Sequence, residues 1–427
     1  MIQILVSGFF LDNSTLVEDI KRFPAATVFR RSTTDHFPIE MKSYWSMPKQ
    51  EGEQAILDQD TINVFNEKMQ RAIDELHALE SHSVIPLSGG LDSRAIACFI
   101  ARKQKIKTIT YDFGDETTIA AKVCNILKGE PAFFSKKIIQ SPSFREGLTQ
   151  MIRQQQNHSV VNQYFYAPLF SRFFKENPQY NAIYDGVYMD ILFNYAYIYI
   201  DFDFKRFLKT YGGAVQFVES FSHSMDRQSL DLLMRSFYSG VLAGYETCDG
   251  VAKSQQCYAS GRLRRYVSES YLSRENYCYV FKPGFNYDLM DFGFGLDLKL
   301  RKGLIYTTLL NKEFPDVMKV RYKDSYNNRE KTALEKMDQK YGRFRSRLSS
   351  ASQGLIKYYP FQADYYFLHE KGLDAFKDLF AGKNYIPEVF DNETISSIFN
   401  KVKRKQYLVN YLHRILFLQQ FYQRNNF

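Results

Sequence analysis

Six consecutive residues, Ser88-Gly89-Gly90-Leu91-Asp92-Ser93, have the types and spacing to hold a polyphosphate. Gly89 and Gly90 carry no Cβ, so an anion can come close to their backbone N–H groups. Ser88 and Ser93 add hydroxyl donors, and Asp92 adds a carboxylate. The competing reading of Asp92 is a charge that caps the following helix. The Gly-Lys-Ser/Thr ending of the common nucleoside-triphosphate loop is missing.

The elements around the hexapeptide suit that chemistry. Ser83-Val84-Ile85-Pro86-Leu87 reads as a buried strand, and Arg94 to Ala101 reads as a helix. A strand, a glycine turn and a helix start present unpaired N–H groups and the positive end of the helix dipole to one ligand. Upstream, Ile62, Phe65, Met69, Ala72, Ile73 and Leu76 recur at helical spacing over Thr61 to Leu79, with Asp60 placed to cap them. Downstream, Lys107 to Asp112 predicts a second strand, Asp115 to about Lys128 a helix, Ala132 to Ile138 a third strand, and Ala182-Ile183-Tyr184 a fourth. Strands alternating with helices predict an α/β fold, a parallel sheet with helices on both faces. Ligands of such sheets bind at the carboxyl ends of the strands. The hexapeptide, Asp112 to Glu116 and Gly186 to Asp190 all fall at such ends. Phe204 to Met234 and Phe361 to Phe427 predict a mostly helical second half. Lys323 to Ser352 is polar and reads equally as a loop or a solvated helix.

With 427 residues, the chain can bury two cores. Aromatic residues are abundant, with 31 Tyr and 37 Phe, and the net charge is +9. A basic balance suits polyphosphates and nucleic acid alike, but no dense Lys/Arg block is present, so a nucleic-acid partner is not expected. Cys98, Cys124, Cys248, Cys257 and Cys278 form no CxxC pair, which argues against a zinc ribbon and for reduced thiols in a cytoplasmic protein. Met1 to Phe10 lacks the basic start and long apolar core of a signal peptide. The apolar stretch Ile183 to Phe204 carries four aspartates, which argues against a membrane span.

The hexapeptide resembles the SGGxDS loop of the PP-loop ATP pyrophosphatases. Further features resemble the synthetase domain of the asparagine synthetase-like family. Thr15-Leu16, Ile20 to Pro24 and Tyr44-Trp45 resemble the segment that joins an amidotransferase domain to that synthetase domain. Asp115-Glu116, Asp185-Gly186-Val187-Tyr188-Met189-Asp190, Pro283, Asp288 to Phe292 and Phe314-Pro315 resemble later parts of it. The resemblance implies three regions: a remnant linker over 1–55, an ATP-binding core over 56–205 and a helical lobe over 206–427. It implies an adenine-nucleotide α-hydrolase sheet that adenylates a carboxylate, releases pyrophosphate, and forms an amide when an amine or ammonia displaces AMP. ATP and Mg²⁺ are the implied ligands. The partners are a small-molecule or peptide carboxylate and an amine or ammonia, with a separate ammonia source allowed.

By the same resemblance, Leu87, Ser88, Gly89, Gly90, Asp92, Ser93 and Gly186 hold ATP or pyrophosphate. Tyr111, Asp112 and Gly114 meet adenine or ribose. Asp92 and Asp190 hold Mg²⁺, and Lys323 and Tyr279 are the catalytic candidates, Lys323 by stabilising leaving pyrophosphate. The chain also departs from the family. Residue 2 is Ile2 where a glutamine-using member has a nucleophilic cysteine, so no intrinsic glutaminase is expected. Val187, Tyr188 and Ile191 replace an acid, a glycine and an acid of the glycine-rich loop. Tyr279-Val280-Phe281-Lys282 stands where the family has a glutamate and an arginine. These departures keep two other readings open: a catalytically degenerate nucleotide-binding or partner subunit, and a PP-loop enzyme that modifies tRNA or a small molecule.

Overall fold

The structure, a computed structural model, describes residues 2–8, 10, 13–31, 40–48, 57–111, 115–134, 161–194, 227–243, 259, 264, 272–297, 300–301, 303–321, 384–387, 390–402 and 408–424. In chain order the first elements are α1 (Ile2–Ser7), β1 (Thr27–Arg30), β2 (Glu40–Ser43), α2 (Gln59–Leu79), β3 (Ser83–Pro86) and α3 (Leu91–Ala101). Next come β4 (Lys107–Tyr111), α4 (Asp115–Ile126), β5 (Glu130–Phe134), α5 (Val161–Glu176), β6 (Ala182–Tyr184) and α6 (Arg227–Ala243). The remainder is α7 (Leu272–Glu275), β7 (Tyr279–Phe281), α8 (Tyr287–Gly295), α9 (Leu304–Glu313), α10 (Pro315–Lys319), α11 (Asn392–Val402) and α12 (Leu408–Arg424).

Strands β3 to β7 form one sheet in the order β5-β4-β3-β6-β7. Every pairing in it is parallel. The chain runs outward from β3 through β4 to β5, then returns to place β6 and β7 on the other side of β3. The order therefore reverses between β3 and β6, and the crevice above their carboxyl ends is where an open parallel sheet takes its ligand.

Side-chain alternation along the strands builds two cores. Ile85, Leu87, Ala182, Tyr184 and Phe281 face the larger one, with α2, α3, α4, α8 and α9. Val84, Ile109 and Ile183 face the other, under Phe170, Phe173 and Phe174 of α5. Helices thus cover both faces, as the alternation of strands and helices in the sequence leads one to expect.

Several boundaries differ from the sequence reading. Helix α2 is capped by Asp58, whose carboxylate accepts from the Thr61 N–H at 2.7 Å, and Asp60 sits inside its first turn. A cap must stand three residues before the N–H it serves, and only Asp58 is so placed once Gln59 joins the helix. Helix α3 starts at Leu91 rather than Arg94. Strand β5 starts at Glu130, two residues before the expected start, and 135–138 lie outside the described residues.

The antiparallel β1–β2 hairpin joins the body through Tyr44, whose hydroxyl is 3.0 Å from that of Tyr287, and Trp45, which donates to Asp291 at 2.7 Å. At the other end of the chain, Arg414 of α12 donates to the carbonyls of Leu5 and Val6 in α1. Cys98, Cys124 and Cys278 are free thiols, all buried. Burial pushes the Cys98 and Cys278 thiols up to about 12, so neither is a reactive thiolate at neutral pH. Among the described residues, no helix is long and apolar enough to cross a membrane.

Candidate nucleotide site

The loop after β3 is fixed at its base. Leu87 is buried, its N–H donates to the Ile109 carbonyl at 3.0 Å, and its own carbonyl accepts from Thr110 Oγ1 at 2.8 Å. Beyond it the two serines brace each other across the turn. Their hydroxyl oxygens are 2.9 Å apart, and the Ser88 N–H donates to Ser93 Oγ at 3.2 Å. The Gly90 N–H donates to Ser88 Oγ, also at 3.2 Å. Gly90 is the residue before the helix and supplies no side-chain cap to it. Its φ of −84° is open to any residue, but a Cβ would stand a tight 3.3 Å from Ser88 Oγ, so a side chain here would press on that hydroxyl. The first turn of α3 therefore presents N–H donors and the positive end of the helix dipole beside two hydroxyls.

The second loop follows β6 and meets the first directly. A Cβ on Gly186 would lie 3.2 Å from Asp92 Cβ. Asp185 does not serve a ligand here. It is nearly buried, pairs with Arg274 at 2.5 Å and accepts from the Val187 N–H at 3.0 Å. Tyr188 adopts φ = 72°, the left-handed region that favours glycine. Such a conformation costs a non-glycine residue on the order of 1 kcal/mol. It is held by packing: the ring lies 4.4 Å from that of Phe285, and the hydroxyl donates to the Ala259 carbonyl at 3.1 Å.

Asp190 opens a single π turn, Asp190–Asn194, a kink often found at functional sites. Buried Arg301 holds that turn, donating to the carbonyls of Leu192 at 3.0 Å and of Ile191. Ile191 is buried in the larger core.

Asp92 is where the two loops meet. Part of the residue reaches the surface, but its Oδ1 is cut off from solvent and has no hydrogen-bond partner. Burial, and next the charge of Asp190, push its carboxyl up to about 8, against opposing contributions from Tyr306 and Asn194. Tyr306 of α9 is fully buried, and its phenol is driven well above its ordinary range by burial and by the two aspartates. Two carboxylates forced together, one with an unpartnered buried oxygen, are the donor set that a hard cation relieves. Among the described residues no group of three or more His, Cys, Asp or Glu forms a metal cluster, so any cation here would be completed by phosphate oxygens and water.

Of the residues singled out from sequence, the Ser88–Ser93 loop, Gly186 and Asp190 come together at Asp92, and Leu87 is buried at the base of that loop. Tyr111 ends β4 at the same edge, and Asp112, Gly114 and Lys323 lie outside the described residues. Tyr279 is not brought to the site. It begins β7, in register with Ala182, and its side chain is 66% exposed. Ser83 is level with Ala182 too, so at about 3.3 Å per residue Tyr279 stands roughly 15 Å below Ser88. At the carboxyl end of β7 the structure places Lys282 instead, paired with Glu275 at 2.6 Å. Arg94 meets neither solvent nor a phosphate; it is fully buried against backbone carbonyls. Tyr306 and Asn194 have no local signal in the sequence, because only the long-range packing of α9 and the π turn brings them to Asp92.

Residues 66–134, from α2 through β5, match the family described as asparagine synthase. Over those residues the chain is similar to an asparagine synthase. That family comprises ATP-dependent, amide-forming ligases, and the matched segment contains the Ser88–Ser93 loop with Asp92. No curated protein matches the chain. The asparagine synthase-like segment ends at Phe134, and the glycine loop that completes the crevice lies beyond it.

One prediction belongs to that second loop. Gly284 is buried, and a Cβ there would stand 2.6 Å from the Val187 carbonyl oxygen. Gly284→Ala is expected to push the Pro283–Phe285 turn off the glycine loop, at a cost of about 1–3 kcal/mol. A fall in the urea midpoint checks it; an unchanged midpoint would show that the turn shifts freely.

Proposed function

We propose that the protein is an AMP-forming carbon–nitrogen ligase. The observation that supports this most is the meeting of Asp92, with its unpartnered buried oxygen, and Asp190 at the open start of the loop helix. In this reading the N–H groups of the Ser88–Ser93 loop and the two serine hydroxyls hold the β and γ phosphates of ATP. A substrate carboxylate oxygen attacks the α phosphorus, the α–β phosphoanhydride bond breaks, and pyrophosphate leaves. An amine or ammonia then attacks the acyl carbon, loses a proton and displaces AMP. The protein's part is to align the reactants and to meet developing charge with fixed dipoles. Asp92 and Asp190 would hold Mg²⁺, which supplies charge neutralisation on the phosphate oxygens. The acid is a small-molecule or peptide carboxylate, and the amine or ammonia comes from the substrate or from a separate source.

Exchange of labelled pyrophosphate into ATP tests this reading. Exchange that appears only with a carboxylate substrate is the expected result. ATP binding without exchange across a broad panel of acids would overturn it. A nucleotide-binding subunit without turnover is the second reading, favoured by buried Ile191 where the family carries an acid. Calorimetry with Mg-ATP beside the exchange assay separates the two: heat without exchange supports the subunit.

A further inference from the structure

The loop helix α3 is held at both ends by arginines that grip the same corner of the helical lobe. Near its start, Arg94 donates through Nη1 to the carbonyls of Val317 at 3.0 Å and Val320 at 2.8 Å, and through Nη2 to that of Arg321 at 3.1 Å. It is fully buried although it lies two residues after Asp92. These carbonyls belong to the last turn of α10 and the chain just beyond it, where a cation also complements the helix dipole. At the far end, Arg102 donates to Gln70 at 3.0 Å and pairs with Glu313, while its guanidinium lies 4.2 Å above Phe99 and 5.5 Å above Phe314. Both arginines therefore fasten the α9–α10 corner to α3. Only Arg94 does so at the phosphate-loop end.

The same corner carries Tyr306, which with Asp190 and Asn194 is one of three groups from outside the loop that act on Asp92. We infer that Arg94 is a positioning residue for the nucleotide site: by fixing α9–α10 against the first turn of α3, it holds in place the helix start that carries Asp92. Burying a guanidinium is costly unless its donors are used. Here three carbonyls from one short stretch take its two terminal nitrogens, which favours one register of α10 against α3. A buried apolar residue at position 94 would pack but would not fix that register. The inference rests on the ligase reading for its catalytic consequence, but the clamp itself is independent of it.

The test compares Arg94→Met, Arg94→Lys and Arg102→Met. In the absence of nucleotide, tryptic cleavage after Arg321 is expected to be at least tenfold faster in Arg94→Met than in the wild type or in Arg102→Met, since the Arg321 carbonyl is then untied. With ATP, the Mg²⁺ concentration for half-maximal nucleotide binding, read by calorimetry, is expected to rise at least fivefold in Arg94→Met and less in Arg94→Lys. Arg102→Met is expected to lower the melting temperature without moving that Mg²⁺ requirement. Equal cleavage rates in the three proteins would overturn the clamp. A Mg²⁺ requirement that changes only in proportion to lost thermal stability, in Arg94→Met and Arg102→Met alike, would make Arg94 merely structural. Should Arg94→Met fail to fold, Arg94→Lys carries both measurements. A wild type that binds Mg-ATP but shows no exchange overturns the ligase reading and leaves these outcomes intact.

Discussion

Asp92→Asn is expected to make the ligand-free protein more stable at pH 7.5 and to abolish pyrophosphate exchange. The two effects share one cause. In the folded chain the Asp92 carboxyl sits beside Asp190 with a solvent-excluded oxygen, and its pKa lies at about 8 rather than 3.8. Between those two values the unfolded chain has released the proton while the folded chain retains it. The unfolded state then binds fewer protons, so stability falls as pH rises through that window and levels off above it. Asparagine has the same shape and does not titrate. The gap in unfolding free energy between variant and wild type should therefore be near zero below pH 4, widen from pH 5 to pH 8, and reach a few kcal/mol, on the order set by about 1.4 kcal/mol per pKa unit, with the melting temperatures separating over the same window. Mg-ATP should reverse the ranking, because a ligand that binds only the folded state stabilises the wild type and has no cation site in the variant. A variant that melts with the wild type at every pH, or that keeps Mg-ATP affinity, would show that the two aspartates do not act together.

Phe65→Ala is expected to cause the largest loss of stability of any single truncation considered. The Phe65 ring is fully buried, with ring centroids of Phe193 at 4.9 Å, Tyr306 at 5.6 Å, Phe99 at 6.3 Å and Phe292 at 6.4 Å. Those four rings come from the π turn, α9, α3 and α8, so one side chain of α2 ties together four elements, among them the helix that carries Asp92. Removing a buried phenylalanine costs about 3–5 kcal/mol, the lost transfer energy plus the cavity left behind. That is a large fraction of the 5–15 kcal/mol typical of a folded domain. Phe65→Leu should cost much less, because most of the volume is kept. Urea midpoints of the two variants check this; a Phe65→Ala loss below about 1 kcal/mol would mean that the neighbouring rings collapse into the gap.

The parts of the site legible in the sequence are those whose chemistry is local. Ser88 to Ser93 act through their own backbone, so residue type and order were enough to find them. The period of Ile62, Phe65, Met69 and Ile73 gave α2 its buried face, and all four are buried. What escaped depends on register between distant segments. The fifth strand, Tyr279-Val280-Phe281, is not read from the sequence, and nothing in three residues says that its first member pairs with Ala182 and so stands at the far end from the loop. Arg94 looks like a surface or phosphate-binding residue until α10 is brought 223 positions back along the chain to accept its hydrogen bonds. Asp58 and Asp60 are equally good caps by composition, and only the helix start at Gln59 separates them.

The reversal of strand order at β3 also has a consequence for how the chain is made. β3, β4 and β5 are complete once synthesis reaches Phe134, and each can pair as soon as it emerges. The opposite edge of β3 must wait for Ala182. Translation at about 5–20 residues per second puts that delay at seconds, far longer than a hairpin or helix takes to form. Throughout that interval the central strand offers Val84 and its unpaired N–H and C=O groups to any other strand nearby. A nascent chain stalled between β5 and β6 is thus the form of this protein most exposed to aggregation and most in need of a chaperone.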